Sequence, residues 1–138
     1  RDLLLRFRQT PRTILIATHS FWQGVDMKGA NLTCVVIDKL PFASPKDPLV
    51  RATMEAANKR GGNGFVYYLL PQAIIRLNQG FGRLIRSETD RGLFVLGDPR
   101  IKTHSYGDLV MSSLPDMEWI VLDGACKYLI ELSERSSN

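Results

Sequence analysis

The chain has 138 residues, 44% of them hydrophobic and 23% charged, with a net charge of +4 and a pI near 9.3. This length suits one domain with a sizeable core, and no apolar run approaches the ~20 residues that cross a membrane. The modest positive charge permits a nucleic-acid partner without requiring one. Cys34 and Cys126 show no pairing pattern, and neither cysteines nor histidines have metal-ligand spacing. We therefore expect a reducing cytoplasm and no metal bound by this chain.

The apolar pattern predicts strands that alternate with helices. In chain order, the predicted elements are a short amphipathic helix at residues 1–9 ended by Pro11, a strand at 13–18, a second at 32–38, helices at 48–59 and 71–86, and a strand at 93–96. The first two strands are apolar throughout, as expected for strands buried on both faces. Pro71 suits the first turn of its helix, and the glycines at 61–64 predict a mobile loop. This order indicates an α/β domain with a mainly parallel sheet.

The remaining segments predict a helix within 106–114 and, after a break at Pro115, an amphipathic stretch at 117–132. Ile120, Tyr128 and Leu129 are among the apolar residues of this stretch, which either packs back on the domain as a helix or protrudes to dock on a partner. We expect residues 1–116 to form the domain and 117–138 a C-terminal helix or tail. Arg1 followed closely by three leucines also indicates a piece of a longer protein.

The most informative feature is the face of the helix predicted at 71–86. At 100° per residue, Gln79, Arg83 and Arg86 fall within an arc of about 60°, and Gln72 and Arg76 share that face. Apolar residues occupy the opposite side. No acid lies four residues away within the predicted helix, since the nearby Glu88 and Asp90 come after its expected end. Guanidinium groups and an amide in line suit a planar polyanion such as a triphosphate.

Two glycines in this helix bear on the same question. Gly80 and Gly82 each cost about 1 kcal/mol in a helix interior, which fits a surface that another backbone approaches closely. The alternative is an ordinary solvated basic face. Asp90 either orients Arg83 or Arg86 or belongs to a surface turn.

A second group of polar residues follows the first predicted strand. Ligands of parallel sheets gather beyond the carboxyl ends of the strands. Thr18 and Ser20 are placed to hold phosphates of a nucleic-acid strand, and Trp22 is placed to stack on a base. Gly24 permits unusual backbone angles, and Asp26 offers an acceptor to a ribose, a metal-bound water or a basic partner. The alternative is a turn with Asp26 capping a helix.

Nothing in the chain completes a nucleotide site. There is no phosphate-binding GxxxxGK[ST] loop, and no strand carries a paired Asp-Glu for Mg²⁺. A nucleotide site built here would supply arginines and an aspartate to phosphates bound elsewhere.

These motifs resemble a known family. The Gly-Val-Asp at 24–26 and the Gln-x-x-Gly-Arg-x-x-Arg at 79–86 resemble motifs V and VI of superfamily 2 DNA helicases. Further short motifs over residues 13–116 are similar to the DinG/XPD-like helicases. They are KLPF at 39–42, DP at 47–48, GRLIRS at 82–87, DRG at 90–92, DxR at 98–100, YG at 106–107 and SLP at 113–115. The features most similar to the YoaA-like branch are SFWQGVD at 20–26, RGG at 60–62 and the short tail after Pro115.

The resemblance implies a RecA-like (P-loop NTPase-type) fold, with a parallel sheet flanked by helices, forming most of the second helicase domain. It implies hydrolysis of ATP with Mg²⁺ in a site shared with the N-terminal helicase domain, and a [4Fe-4S] cluster in that first half but not in this chain. It further implies 5′ to 3′ movement on single-stranded or forked DNA, in DNA repair or replication in the bacterial cytoplasm. The isolated chain is then expected to lack ATPase activity.

By matching position, the resemblance assigns roles to single residues. Arg83 and Arg86 would contact the γ-phosphate with Gln79, and Arg86 would be the arginine finger. Gly24 and Asp26 would couple the nucleotide to DNA, near which Thr18 and Ser20 would lie. YoaA-like proteins also bind the chi subunit of the clamp loader through their C-terminal region, which favours docking for the last segment.

Overall fold

The computed structural model of the chain describes residues 2–18, 32–85 and 90–120. Its regular elements are helix α1 (Asp2–Gln9), strand β1 (Cys34–Ile37), helix α2 (Pro48–Lys59), a π-helical turn (Phe65–Leu69) continuous with helix α3 (Leu70–Leu84), strand β2 (Leu93–Leu96), and the short helices α4 (Arg100–Thr103) and α5 (Gly107–Ser112).

The two strands form a parallel pair, with Cys34 opposite Leu93 and Ile37 opposite Leu96. Just beyond β2, Gly97 N–H donates to the Ile37 carbonyl at 2.8 Å, so pairing continues at the carboxyl ends. Helices α2 and α3 lie in the crossover between the strands, because parallel neighbours cannot be joined by a tight turn. The predicted parallel α/β arrangement is confirmed for this part of the chain.

The core lies between the strands, α3 and α5. Its buried cluster comprises Ile37, Leu40, Leu70, Leu77, Val110 and Leu114. Leu77 is fully buried and Val110 is 1% exposed. Phe81 extends the packing along α3 by meeting Phe94 edge-on, with ring centroids 5.4 Å apart. The apolar face predicted for α3 is therefore confirmed.

The strand predicted at 13–18 is wrong for the structure. These residues form no strand, and Ile14 and Ile16 are 90% and 92% exposed. Apolar, β-branched composition favours a strand only where a neighbouring strand supplies hydrogen bonds, and no described segment pairs with this one. Burial on both faces is also wrong for β1, where Val36 is 63% exposed. The helix predicted at 1–9 is confirmed as α1, although none of its residues is buried.

The helical path into α3 begins earlier than Pro71. The π-helical turn precedes it, and Leu70 N–H donates to the Phe65 carbonyl five residues back. Proline has no N–H and crowds the carbonyl four residues before it, so a wider turn at this point relieves both problems. Pro71 therefore lies in the first turn of α3, as predicted, and the π-helical turn extends the helical path before it.

Hydrogen bonds tie down the glycine loop at 61–64. Asn58 Oδ1 accepts from Gly64 N–H at 2.7 Å, and Asn63 Oδ1 accepts from Phe65 N–H at 2.9 Å. Gly61 has a φ of 79°, a conformation that glycine tolerates best. These bonds argue for an ordered turn and against the mobility predicted for the loop.

Beyond β2 the prediction is partly confirmed. The helix expected within 106–114 is α5, whereas the single turn α4 carried no sequence signal. The helix considered for 117–132 is not present at 117–120, where the chain is irregular. The rest of that stretch lies outside the described residues.

Candidate functional site

Two of the predicted nucleotide-contacting residues lie one turn apart at the end of α3. Gln79 and Arg83 are four residues apart, so a regular helix places them on one face. Gln79 is exposed and Arg83 half-buried, while Leu77 and Leu84 on the other side are buried. The structure therefore brings these two polar groups together at the surface.

The helical spacing does not continue to Arg86. Helix α3 ends at Leu84, and Ile85 is extended with φ −115° and ψ 120°. The prediction of a helix through residue 86 is wrong, because this extended residue breaks the 100° register on which the common arc depended. Arg86 itself lies outside the described residues.

Arg76, which shares the face of Gln79, forms a hydrogen bond with a neighbouring segment. Its Nη1 donates to the Pro41 carbonyl at 3.1 Å, and the side chain is half-buried. This hydrogen bond joins α3 to the segment that follows β1.

The glycines of α3 differ in their surroundings. Gly80 is buried, whereas Gly82 is exposed and an added Cβ there would meet nothing within 4 Å. Close approach of another backbone to Gly82 is therefore not seen among the described residues.

A buried carboxylate that accepts several hydrogen bonds follows β2. Asp98 is 4% exposed, and its carboxylate accepts from Leu40 N–H at 2.8 Å and Arg100 N–H at 3.0 Å. Arg100 adds Nε at 2.9 Å and Nη2 at 2.6 Å. The hydrogen bonds from Arg100 hold the pKa of Asp98 well below its usual range, although burial opposes them.

Arg100 also faces an aromatic cluster made of Phe42, Phe65 and Tyr106. Its guanidinium carbon lies 5.3 Å from the centroid of the Phe42 ring. Phe42 is 5.4 Å from Phe65 and 6.0 Å from Tyr106, again between ring centroids. Asp98, Arg100 and this cluster together fix residues 39–42, hereafter the 39–42 segment, against the end of the sheet.

The other predicted site residues are mostly not described. Thr18 is exposed, and Ile120 is 42% exposed. The predictions for Ser20, Trp22, Gly24, Asp26, Tyr128 and Leu129 fall outside the described residues. Asp90 is exposed, and its suggested role toward an arginine stays a prediction.

Sequence reasoning noticed Asp98 and Arg100 only as a family motif and gave them no role. The available signal was an acid directly after a strand, followed by an arginine two residues later. It gave no indication of Leu40 N–H, which is 58 residues away in the chain. The sequence contains no signal for the hydrogen bond from Arg76 to Pro41, because its acceptor is a backbone carbonyl and every residue has one.

Residues 2–18, 32–85 and 90–120 form neither a metal cluster nor a membrane-spanning helix. Within these ranges no three His, Cys, Asp or Glu side chains are grouped to hold a metal ion, and no helix is both long and apolar enough to cross a membrane. Burial raises the pKa of the half-buried Cys34 thiol, which does not favour thiolate chemistry there.

Comparison with known protein families identifies the class of this chain. Residues 1–117 match the helicase C-terminal domain, so the chain belongs to that family.

Its relatives within the family are the YoaA and DinG proteins of bacteria. The chain is 50% identical over 114 residues to the ATP-dependent DNA helicase YoaA of Escherichia coli, covering 83% of this chain and 18% of that protein. It is 44% identical over 113 residues to the ATP-dependent helicase DinG of Mycobacterium tuberculosis, covering 82% and 17%. A Bacillus subtilis relative, 45% identical over 82% of this chain and 12% of that protein, is named 3′-5′ exonuclease DinG. The chain thus spans less than a fifth of the length of these relatives, and the resemblance to DinG- and YoaA-type helicases is confirmed.

Proposed function

We propose that the chain is the C-terminal motor domain of an ATP-dependent DNA helicase with a RecA-like fold. In this proposal it supplies arginines to ATP held by an N-terminal helicase domain and moves 5′ to 3′ on single-stranded or forked DNA during repair or replication. The observation that carries the proposal is the surface pair of Gln79 and Arg83 on α3, within a domain of the helicase C-terminal family.

The proposed chemistry at the nucleotide is electrostatic. As the γ-phosphoryl group transfers, negative charge on its oxygens is met by Arg83 and Arg86, and Gln79 adds an amide donor. Arg86 is proposed as the arginine finger. A finger of this kind is worth on the order of 10³–10⁵ in rate.

Of the three groups in this proposal, the described side chains of this chain suit ATP but not Mg²⁺ or a [4Fe-4S] cluster. Guanidinium and amide donors suit the phosphate oxygens of ATP. The described residues group no carboxylates for Mg²⁺, which the N-terminal domain would hold. A [4Fe-4S] cluster needs four thiolates, and the chain has two cysteines, so a cluster would belong to that domain as well.

Coupling to DNA is proposed for the residues after position 17. Thr18 and Ser20 would contact the DNA backbone, Trp22 would stack on a base, and Gly24 with Asp26 would link DNA to the nucleotide. Thr18 is exposed, as a DNA contact requires.

The proposal is tested by DNA-stimulated ATPase in a full-length helicase that carries this domain. Arg83→Ala and Arg86→Ala should each reduce kcat by at least about 100-fold while DNA affinity stays within about threefold, since these groups act on the phosphoryl group. Arg51→Ala is the matched control, because Arg51 is 73% exposed and its ion pair with Glu55 is at the surface. ATPase within about threefold of wild type in both variants would refute the assignment.

The same preparation separates unwinding from degradation. On a forked DNA with labelled strands, the proposal predicts ATP-dependent release of intact strands with 5′ to 3′ polarity. ATP-independent shortening of a strand from its 3′ end would instead favour the activity in the name of the Bacillus relative.

A second candidate function is a protein-interaction module that docks the helicase on the chi subunit of the clamp loader. It is favoured by the apolar residues at the end of the described chain, where Trp119 is 50% and Ile120 42% exposed. A groove of about 470 Å³ lies beside them, lined by residues that include Asp108, Met111 and Trp119. Tyr128 and Leu129 are the other proposed contacts.

Titration of chi against the 138-residue chain and a version ending at Pro115 tests this candidate. Docking through the tail predicts at least tenfold weaker binding by the shortened chain. Equal affinity would exclude residues 116–138 as the docking element.

A further inference from the structure

The hydrogen bond from Arg76 has a consequence for the helix that carries Gln79 and Arg83. Arg76 precedes Gln79 by three residues on α3, and its Nη1 donates to the Pro41 carbonyl. A single N–H to a carbonyl at 3.1 Å positions a helix without needing the two-pronged geometry of a guanidinium.

The acceptor of this hydrogen bond, Pro41, lies in a segment that several contacts hold in place. Pro41 lies in the 39–42 segment, whose Leu40 N–H is held by the buried Asp98 carboxylate at 2.8 Å. Arg100 pairs with that carboxylate and covers Phe42. The 39–42 segment is therefore held at the carboxyl ends of β1 and β2 independently of its hydrogen bond with α3.

Two directional hydrogen bonds add to the apolar packing of this part of α3. Leu77 and Phe81 pack in the core, while Asn78 Nδ2 donates to the Ser113 carbonyl at 3.0 Å and Arg76 donates to Pro41. Neighbouring Ile75 is 50% exposed and contributes little. The Arg76 bond supplies a polar restraint on the side that carries Gln79.

We propose that Arg76 is a positioning residue: by bonding Pro41, it ties the Gln79–Arg83 face of α3 to the 39–42 segment that Asp98 and Arg100 hold at the end of the sheet. The inference rests on the proposed function, since it gives this face a nucleotide to meet. Arg76 itself is assigned no contact with the nucleotide.

The test compares two substitutions of Arg76 in a full-length helicase that carries this domain. Arg76→Met keeps the apolar stem and removes the donor. It should lower kcat of the DNA-stimulated ATPase by about 10- to 100-fold, because a displacement of about 1 Å at a reacting centre costs up to about 100-fold. KM for ATP should stay within about twofold. Arg76→Lys restores one donor and should recover kcat to within about threefold of wild type.

Arg83→Lys supplies the comparison, because a residue that meets phosphate oxygens with a planar fork is not replaced by lysine. The inference predicts loss with Arg83→Lys and recovery with Arg76→Lys. Equal loss in both lysine variants would overturn it by making Arg76 a phosphate contact. Wild-type kcat in Arg76→Met would also overturn it.

Failure of the proposed function has a different signature. If Arg83→Ala and Arg86→Ala both leave ATPase unchanged, the face has no catalytic role, whatever Arg76 does. Thermal unfolding of every variant accompanies the kinetics. Should Arg76→Met fail to fold, Arg76→Lys still decides, since its activity is compared directly with that of Arg83→Lys.

Discussion

At the scale of single residues, Asp98 shows how a buried charge is made tolerable. Its side chain is 1% exposed, which would be costly for an isolated carboxylate. Leu40 N–H and Arg100 provide donors to both oxygens, so the ionised form is strongly favoured in the folded state. The pKa of Asp98 is lowered for that reason.

Asp98→Asn should therefore lower the free energy of unfolding at neutral pH by about 1.5–3 kcal/mol, the range for hydrogen bonds to charged groups. Because the pKa of Asp98 is depressed in the folded protein, its stabilisation is present above the unfolded-state pKa near 3.8 and is lost as the pH falls below it. Urea unfolding of the chain at about pH 7 and about pH 3 should show the gap between wild type and variant shrinking in acid. Asp108→Asn, at an exposed position on α5, is the control and should change little. A gap that widens in acid would contradict this account.

At the scale of elements, α3 combines a buried apolar face with an exposed turn that contains Gly82. A Cβ at Gly82 would meet none of the described atoms within 4 Å, so alanine fits among them without strain. Alanine also favours the helix, since glycine costs about 1 kcal/mol in a helix interior.

Gly82→Ala should raise the free energy of unfolding of the chain by about 0.5–1 kcal/mol, measured by urea denaturation. Gly64→Ala is the contrasting control. A Cβ there would lie 2.7 Å from the Met54 carbonyl oxygen, so this variant should be destabilised. Destabilisation by Gly82→Ala would mean that its surroundings differ from those described. In the full-length helicase, lower ATPase despite the gained stability would support close approach of another backbone at Gly82.

Helices α1, α2, α3 and α5 and strand β2 follow from sequence because their signals are local. Asp47 and Pro48 begin α2 as an N-cap and first-turn proline, and Asp47 Oδ1 accepts from Leu49 N–H at 2.8 Å. Residues 13–18 show the limit of such signals, since strand formation depends on a partner that composition does not specify. The end of α3 at Leu84 was missed because the apolar period continues through Ile85 although its backbone is extended.

The candidate site likewise has features that the sequence predicts and contacts that it does not. Gln79 and Arg83 could be placed on one face from their spacing, because helical periodicity is regular. The bond from Arg76 to Pro41 and the bond from Leu40 to Asp98 join residues 35 and 58 positions apart, and both involve backbone groups. Residue identity carries no signal for such contacts.

At the scale of the whole molecule, the proposed function makes this chain one domain of a longer helicase. It covers 18% of the Escherichia coli relative, and its α3 face offers cationic and amide donors without a phosphate-binding loop. The central claim is that these donors meet charge that develops on a nucleotide held by another domain. Groups of this kind bind the transition state more tightly than the ground state.

The most direct test measures the affinity of the full-length helicase for ADP alone and for ADP with aluminium fluoride, which mimics the transferring phosphoryl group. Arg83→Ala and Arg86→Ala should weaken binding of the aluminium fluoride complex by at least about 100-fold and leave the Kd for ADP within about twofold. Equal weakening of both ligands, or no change in either, would contradict the account.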